Sequence, residues 1–298
     1  MAHLRDPMIT RFAPSPTGPL HLGHAYSALL AHDMAMENGG NFLLRIEDID
    51  QSRARPEWEV RIYDDLQWLG LWWPEPVMRQ SDRMAVYRGK LRWLWNHGYA
   101  FACTCSRRDI QTAMSAPQEG VVTQGPDGLI YPGTCRAHDN RSGCAPLPQD
   151  TALRLSIEAV ARRFGSAGGD VFSFQETGQG PNGETGLIEF TLQDAIRTIG
   201  DVVLARRDMG TSYHLSVVLD DAEQDITHVV RGQDLFEATK IHVILQRVLK
   251  LPTPSYHHHK LIRDESGKRL AKRDDARAIS KYRAEGASPD DIRSMVGL

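Results

Sequence analysis

The chain has 298 residues, enough to bury a full core and to form one large domain or two smaller ones. With 41% hydrophobic and 24% charged residues it has the composition of an ordinary globular protein, and a net charge of −3 removes any global signal for nucleic acid, so RNA contacts must come from local basic patches. Four cysteines do not make a disulfide scaffold, Met1 to Pro7 has no signal-peptide core, and no apolar run reaches membrane-spanning length, so the expectation is a cytoplasmic protein without membrane contact.

The stretch from Arg11 to His24 reads as the organising unit. A strand from Met8 to Phe12 breaks at Pro14-Ser15-Pro16 and turns at Thr17-Gly18-Pro19. The spacing of Ala25, Ala28, Leu29, His32 and Ala35 predicts a helix, stopped by Asn38-Gly39-Gly40. A second strand, Asn41 to Glu47, sets Phe42, Leu44 and Ile46 on one face. Strand, glycine-containing turn and helix N-terminus aim backbone N–H groups at one spot, which attracts anions and phosphates above all. His21 and His24 add donors there, and Glu47, at the carboxyl end of its strand, can hold an ammonium. Next comes a helical stripe of Trp58, Ile62, Leu66 and Leu69, ending near Gly70. Gln80-Ser81-Asp82 offers caps for a further helix bearing Tyr87, Leu91 and Leu94, closed by Asn96-His97-Gly98.

Cys103-Thr-Cys105 can aim two thiolates at one point, and a second arm must complete a tetrahedron. Spacing alone favours Cys135 and His138 as that arm. Cys144 is a further candidate, and reduced thiols without metal are the competing reading. From Ala152 to Glu176 the pattern turns toward β, as in a connecting module. Tyr213 and His214 then fall at a strand or helix start. Ile226 to Leu235 is again strand, turn and helix, with Arg231 at the strand's end, and a guanidinium fork there suits a carboxylate. The helix carries Ile241, Ile244, Leu245 and Val248. His257-His-His259 reads as a packed strand, Ser266 to Asp274 as a basic loop, and Ser288-Pro289-Asp290 as a helix start.

His21-Leu-Gly-His24 resembles the HIGH signature of class I aminoacyl-tRNA synthetases, and Arg11-Phe-Ala-Pro-Ser-Pro-Thr-Gly resembles their glutamyl branch. Arg269-Leu270-Ala271-Lys272-Arg273 resembles the second signature, KMSKS. It keeps the second lysine as Lys272 and departs at Arg269 and Ala271. The insert looks like the zinc module of short glutamyl synthetase paralogues. That resemblance implies Cys103, Cys105 and Cys135 as ligands, with Tyr131 as the fourth.

The resemblance covers nearly the whole chain and implies an α/β fold: a Rossmann-type class I catalytic domain with an inserted connecting module carrying a zinc site. The corresponding boundaries are 1–98 and 191–256 for the two catalytic halves, 99–190 for the insert, and 257–298 for the ATP loop and a helical remnant. It implies His21, His24 and Lys272 in catalysis, and Arg11, Ala13, Ser15, Glu47, Tyr213 and Arg231 around glutamate. ATP, with magnesium, would meet Pro16, Thr17, Gly18, His21, Gly23, His24 and the loop from Arg269 to Arg273. Full-length glutamyl synthetases continue into an anticodon-reading domain, which this sequence does not show. The implied partner is therefore the tRNA(Asp) anticodon stem-loop bearing queuosine, charged with L-glutamate by a monomer. Competing readings are a minimal glutamyl-tRNA synthetase charging the 3′ end, a small-molecule nucleotidylyltransferase or ligase, and a non-catalytic RNA-binding paralogue.

Overall fold

The computed structural model describes residues 7–114, 123–136, 146–165, 169–263 and 277–298. The first unit is a β-α-β turn. Strand β1 (Ile9–Phe12) leads through the Pro14–Gly18 turn into helix α1 (Leu22–Glu37), and β2 (Asn41–Ile46) returns parallel to β1, with Arg11 opposite Leu43. Gly39 closes α1 at φ +63°, a conformation most side chains resist. Helix α2 (Pro56–Trp68) starts with proline at its first turn, and β3 (Met78–Arg79) pairs parallel with β2.

Gln80, Ser81 and Asp82 do not cap the next helix. They form a 3-10 turn, and α3 (Met84–Asn96) begins after Arg83 without a side-chain cap. Gln80 is instead buried and donates to Asp220 at 2.8 Å, while Asp48 accepts from the Ser81 N–H. A distant carboxylate claimed the side chain that local spacing assigned to a cap.

The middle of the chain contributes β4 (Ala100–Cys103), α4 (Arg107–Met114), the hairpin β5 (Gln124–Gly125) and β6 (Gly128–Leu129), β7 (Ala152–Leu155) and α5 (Ile157–Gly165). Strands β8 (Val171–Glu176) and β9 (Gly186–Thr191), helix α6 (Leu192–Thr198) and β10 (Val203–Ala205) follow. Then come α7 (Tyr213–Glu223), β11 (His228–Gly232), α8 (Ala238–Leu249), β12 (Ser255–His259), α9 (Ile279–Ala284) and α10 (Pro289–Val296). Tyr213 thus begins a helix. Strands β4, β7 and β10 form an antiparallel sheet of their own, while β8 pairs parallel with β12 and antiparallel with β9. β8 and most of β9 fall within residues 99–190 yet extend the sheet of β11 and β12.

The parallel sheet of β1 to β3 meets the mixed sheet of β11, β12, β8 and β9 where the Thr227 N–H donates to the Ile9 carbonyl at 3.0 Å and the Ile9 N–H to Thr227 Oγ1 at 2.8 Å. One apolar core, including Leu29, Phe42, Leu66 and Ile292, wraps α1 and brings the carboxyl-terminal helices against it. A larger one runs from Tyr87 through Leu155 and Phe172 to Ile244. Asp33 on α1 takes both Arg293 nitrogens, at 2.6 and 3.0 Å, which fixes α10. Among the described residues no helix is long and apolar enough to cross a membrane. The architecture is α/β with mixed sheets.

Two glycines separate packing from propensity. A Cβ on Gly40 would lie 1.8 Å from the Met8 carbonyl oxygen, whereas one on Gly89, inside α3, would meet nothing within 4 Å. Gly89→Ala should therefore stabilise by about 0.5–1 kcal/mol. Gly40→Ala should destabilise by more than about 2 kcal/mol, since backbone must move. Denaturant unfolding of both variants checks this, and equal behaviour would reject the close approach at Gly40.

Candidate active site

The chain leaves β1 through α1 toward β2 on one side, and leaves β11 through α8 toward β12 on the other. The carboxyl ends of β1 and β11 therefore flank a topological switch point, the position where open α/β sheets take their ligands. A cavity of about 370 Å³ lies there. Arg11, Ala13, His21, Gly23, His24, Glu47, Tyr213 and Arg231, all expected from the sequence, line it together. Ser15, Pro16, Thr17 and Gly18 do not line it. They form the adjoining turn, where the Thr17 N–H donates to the Ser15 carbonyl at 2.9 Å and Pro16 accepts from the Arg55 N–H at 3.0 Å. Arg269, Leu270, Ala271, Lys272 and Arg273 lie outside the described residues, as do His138 and Cys144.

The cavity floor is a buried charge network that sequence reading missed. Arg45 is fully buried inside β2 and donates from one nitrogen to Asp221 at 2.8 Å and to Gln224 at 2.9 Å, and from another to Glu47 at 3.2 Å. Asp221, on α7, also accepts from Arg11 Nε at 3.0 Å. Burial would raise the Asp221 pKa, but Arg11 and Arg45 hold it below the ordinary carboxylate range. Burial pushes Glu47 upward against the pull of the same two arginines. The available signal was a basic residue in an otherwise apolar strand, Phe42 to Ile46, and two acids following the apolar run Val217 to Leu219. Charges placed there must find each other.

Asp221 takes the inner edge of Arg11. Arg11 Nη1 reaches the Val230 carbonyl only at 3.5 Å, and Nη2 has no hydrogen-bond partner among the described residues. The end of this guanidinium can receive two oxygens of a ligand carboxylate. Arg231 differs. Nε, Nη1 and both bonds from Nη2 are directed at His258, His242, Leu235 and Thr239, so the two-oxygen fork expected there is largely used internally.

His21 and His24 owe their geometry to the helix start. His21 is the N-cap of α1. Its Nδ1 accepts from the Gly23 N–H at 3.1 Å, and His24 Nδ1 accepts from the His21 N–H at 3.1 Å. This reciprocal cap places the protons of the neutral rings on Nε2. The rings lie close, their centroids 3.7 Å apart and their planes tilted by 33°. His259 closes the wall, its Nε2 2.7 Å from Ser27 Oγ and its Nδ1 2.9 Å from the Lys260 carbonyl.

A second constellation lies in the middle segment. The Cys103, Cys105 and Cys135 Sγ atoms lie within 4.8 Å of one another, and Cys105 to Cys135 is 3.4 Å. Tyr131 Oη is 3.6 Å from Cys105 Sγ and accepts from the Cys135 N–H at 2.7 Å. Burial opposes ionisation of Cys135, but hydrogen bonds from Tyr131 and the Thr104 backbone lower its pKa to about 6. Tetrahedral metal–thiolate bonds near 2.3 Å set sulfurs about 3.8 Å apart, so these thiols can hold a metal ion.

The catalytic-domain model of tRNA synthetases class I (E and Q) matches residues 7–126 and 174–298. The chain belongs to this family. As a class I synthetase domain it is a ligase. A Rhodobacter capsulatus protein named glutamyl-Q tRNA(Asp) synthetase is 62% identical over 98% of this chain and 100% of its own length. Proteins of the same name from Symbiobacterium thermophilum and Nocardia farcinica are 39% and 37% identical, over 95% and 99% of this chain and 83% and 86% of their own. Among solved structures, a glutamate tRNA ligase from Elizabethkingia meningosepticum, in complex with its amino acid, superposes with a TM-score of 0.72 at 25% identity. The match covers 98% of this chain and spans 61% of that one. For the class I synthetase domain described here, the histidine-capped helix and the charged floor are contiguous walls of one cavity.

The floor makes a pH-dependent prediction. A carboxylate with a depressed folded-state pKa contributes stability above its unfolded range and loses it as pH falls through the folded value. Asp221→Asn should cost about 3–5 kcal/mol at pH 7, because Arg11 loses its carboxylate contact and Arg45 keeps only Glu47 as a hydrogen-bonded carboxylate. The gap from the parent should narrow on acidification. Urea unfolding across that range checks it, and a gap of zero at neutral pH, or one that does not change, would reject the network.

Proposed function

We propose that the chain activates L-glutamate with ATP and transfers it to queuosine in the anticodon of tRNA(Asp), acting as a cytoplasmic monomer with a Rossmann-type nucleotide site. The observation that carries this reading is the cavity's pairing of an open arginine end, Arg11, with a buried carboxylate, Glu47, in a chain 62% identical over its length to a glutamyl-Q tRNA(Asp) synthetase. An α-amino dicarboxylate needs both signs of charge at fixed separation. Arg11 would take the side-chain carboxylate, Glu47 the ammonium, and Arg231 with Tyr213 the α-carboxylate, beside Ala13 and Ser15.

In the first step an α-carboxylate oxygen attacks the α-phosphorus of ATP, the bond to pyrophosphate breaks, and glutamyl adenylate forms. No protein nucleophile is required. The chain supplies alignment and stabilisation of phosphoryl charge. His21 and His24 would direct Nε2–H donors at the α-phosphate, with Gly23 and the Pro16–Gly18 turn against the nucleotide. Lys272, in the loop from Arg269 to Arg273, would meet the leaving pyrophosphate oxygens, with magnesium carried in on ATP. In the second step a hydroxyl of the queuosine cyclopentenediol attacks the adenylate carbonyl and AMP leaves. A cis-diol presents the same chemistry as a terminal ribose.

Labelled glutamate offered with ATP to tRNA(Asp) with and without queuosine, and to tRNA(Glu), tests the reading. The expected product is an ester on queuosine-bearing tRNA(Asp) that survives removal of its 3′-terminal adenosine. Charging of tRNA(Glu) at its 3′ end alone would make this a minimal glutamyl-tRNA synthetase, the activity named for its structural neighbours.

The metal proposed at Cys103, Cys105, Cys135 and Tyr131 is zinc, whose tetrahedral preference fits three thiols and a phenol oxygen. When bound it cross-links the end of β4 to the segment before Arg136. Elemental analysis should find one zinc per chain, and Tyr131→Phe should weaken it by roughly tenfold or more against a chelator. Unchanged retention in Tyr131→Phe would move the fourth ligand elsewhere, and absence of zinc would end the proposal.

A further inference from the structure

Arg231 is 6% exposed, yet among the described residues it makes no ion pair. Its partners are neutral. Nη2 donates to Thr239 Oγ1 at 2.6 Å and to the Leu235 carbonyl at 3.3 Å. Nε points at His258 Nε2 and Nη1 at His242 Nδ1, both at 3.1 Å. A guanidinium has five N–H donors and no acceptor, so each imidazole nitrogen facing it must present a lone pair. Four donors are committed, which leaves one N–H on Nη1 for a ligand.

That requirement fixes the protons on both rings. His258 carries its proton on Nδ1, 2.5 Å from the buried carboxylate of Glu176 on β8. His242 carries its proton on Nε2, which donates to His214 Nδ1 at 3.1 Å. His214 must then be protonated on Nε2, and that atom lies 3.4 Å from Asp127 Oδ1. Asp127 occupies the turn between β5 and β6, beyond the catalytic sheet. A chain of directed hydrogen bonds thus runs from Arg231 through His258 to Glu176, and a second runs through His242 to His214, whose Nε2 faces the Asp127 carboxylate at 3.4 Å. The rings cannot readily gain a second proton, because burial, followed by Arg231, drives His242 well below its ordinary pKa, and burial lowers His258.

We propose that His242 and His258 are positioning residues for Arg231, and that Asp127, through His214 and His242, fixes its donor direction from the β5–β6 turn. The consequence for binding rests on the proposed role of Arg231 toward the glutamate α-carboxylate; the proton positions do not.

His242→Leu keeps the volume and removes the lone pair, while His242→Asn restores an acceptor at the Nδ1 position. In ATP–pyrophosphate exchange, His242→Leu should raise KM for glutamate about tenfold or more, the scale of one lost bond to a buried charge, with KM for ATP within about twofold. His242→Asn should stay within about threefold of the parent. Asp127→Ala, at a half-exposed turn, should raise the glutamate KM by about two- to fivefold. Nitrogen-15 shifts of the parent should show Nδ1 unprotonated in His214 and His242 and protonated in His258. Equal effects of Leu and Asn at 242, a glutamate KM unmoved by His242→Leu, or Nδ1 protonated in His242 would each overturn the proposal. A parent with no exchange activity overturns the glutamate reading instead, and the nitrogen shifts then decide the chain of imidazoles on their own. The same shifts decide it if His242→Leu fails to fold.

Discussion

The carboxylate of Asp221 is held between two buried arginines, and the site depends on that contact. Arg11 comes from β1, Arg45 from β2 and Asp221 from α7, so one charge joins the first β-α-β unit to a helix about two hundred residues later. Replacing such a network by apolar side chains is often neutral or favourable for stability, whereas removing one member leaves an unpaired charge in low dielectric. What the network adds is placement. Arg45 holds Glu47 at the cavity edge, and Asp221 turns Arg11 so that its outer end faces the ligand space.

The neighbouring acid extends the same logic in the opposite direction. Asp220, fully buried, accepts from Gln80 at 2.8 Å, Arg83 at 2.7 Å and the Tyr87 hydroxyl at 2.9 Å. Successive residues on a helix point about 100° apart, so the pair Asp220-Asp221 braces α7 against α3 on one side and against β1 and β2 on the other. The turn before α3 is thereby positioned by the helix that also supplies Tyr213.

This division explains what could be read from the sequence. The strand–turn–helix–strand unit from Ile9 to Ile46 was legible because its signals are local: apolar period, proline break, glycine stop. The clustering of Arg11, Glu47, Tyr213 and Arg231 followed from motif resemblance, and the structure brings them to one cavity. What stayed hidden depends on polar partners that local spacing does not pair, 27 to 140 positions apart in the two cases that follow. Gln80 looked like a cap because its true partner, Asp220, lies 140 positions away. His258 was passed over between two histidines sharing the opposite face, although it is the ring of the three that contacts both Glu176 and Arg231. Periodicity reports which face is buried, not which polar groups meet inside.

The two cavity arginines are prepared in opposite ways. Arg11 touches a carboxylate at 3.0 Å, so its charge is already balanced and its open end adds direction more than net attraction. Arg231 touches no carboxylate among the described residues; Glu176 reaches it only through the His258 ring, and Coulomb attraction falls with separation. Neutral acceptors hold its orientation without cancelling its charge. A ligand carboxylate arriving at the remaining Nη1 donor is therefore the first anion to make direct contact with that cation. An anion bound there gains both the charge interaction and a hydrogen bond whose direction was fixed before it arrived. An uncharged amide would gain only the second.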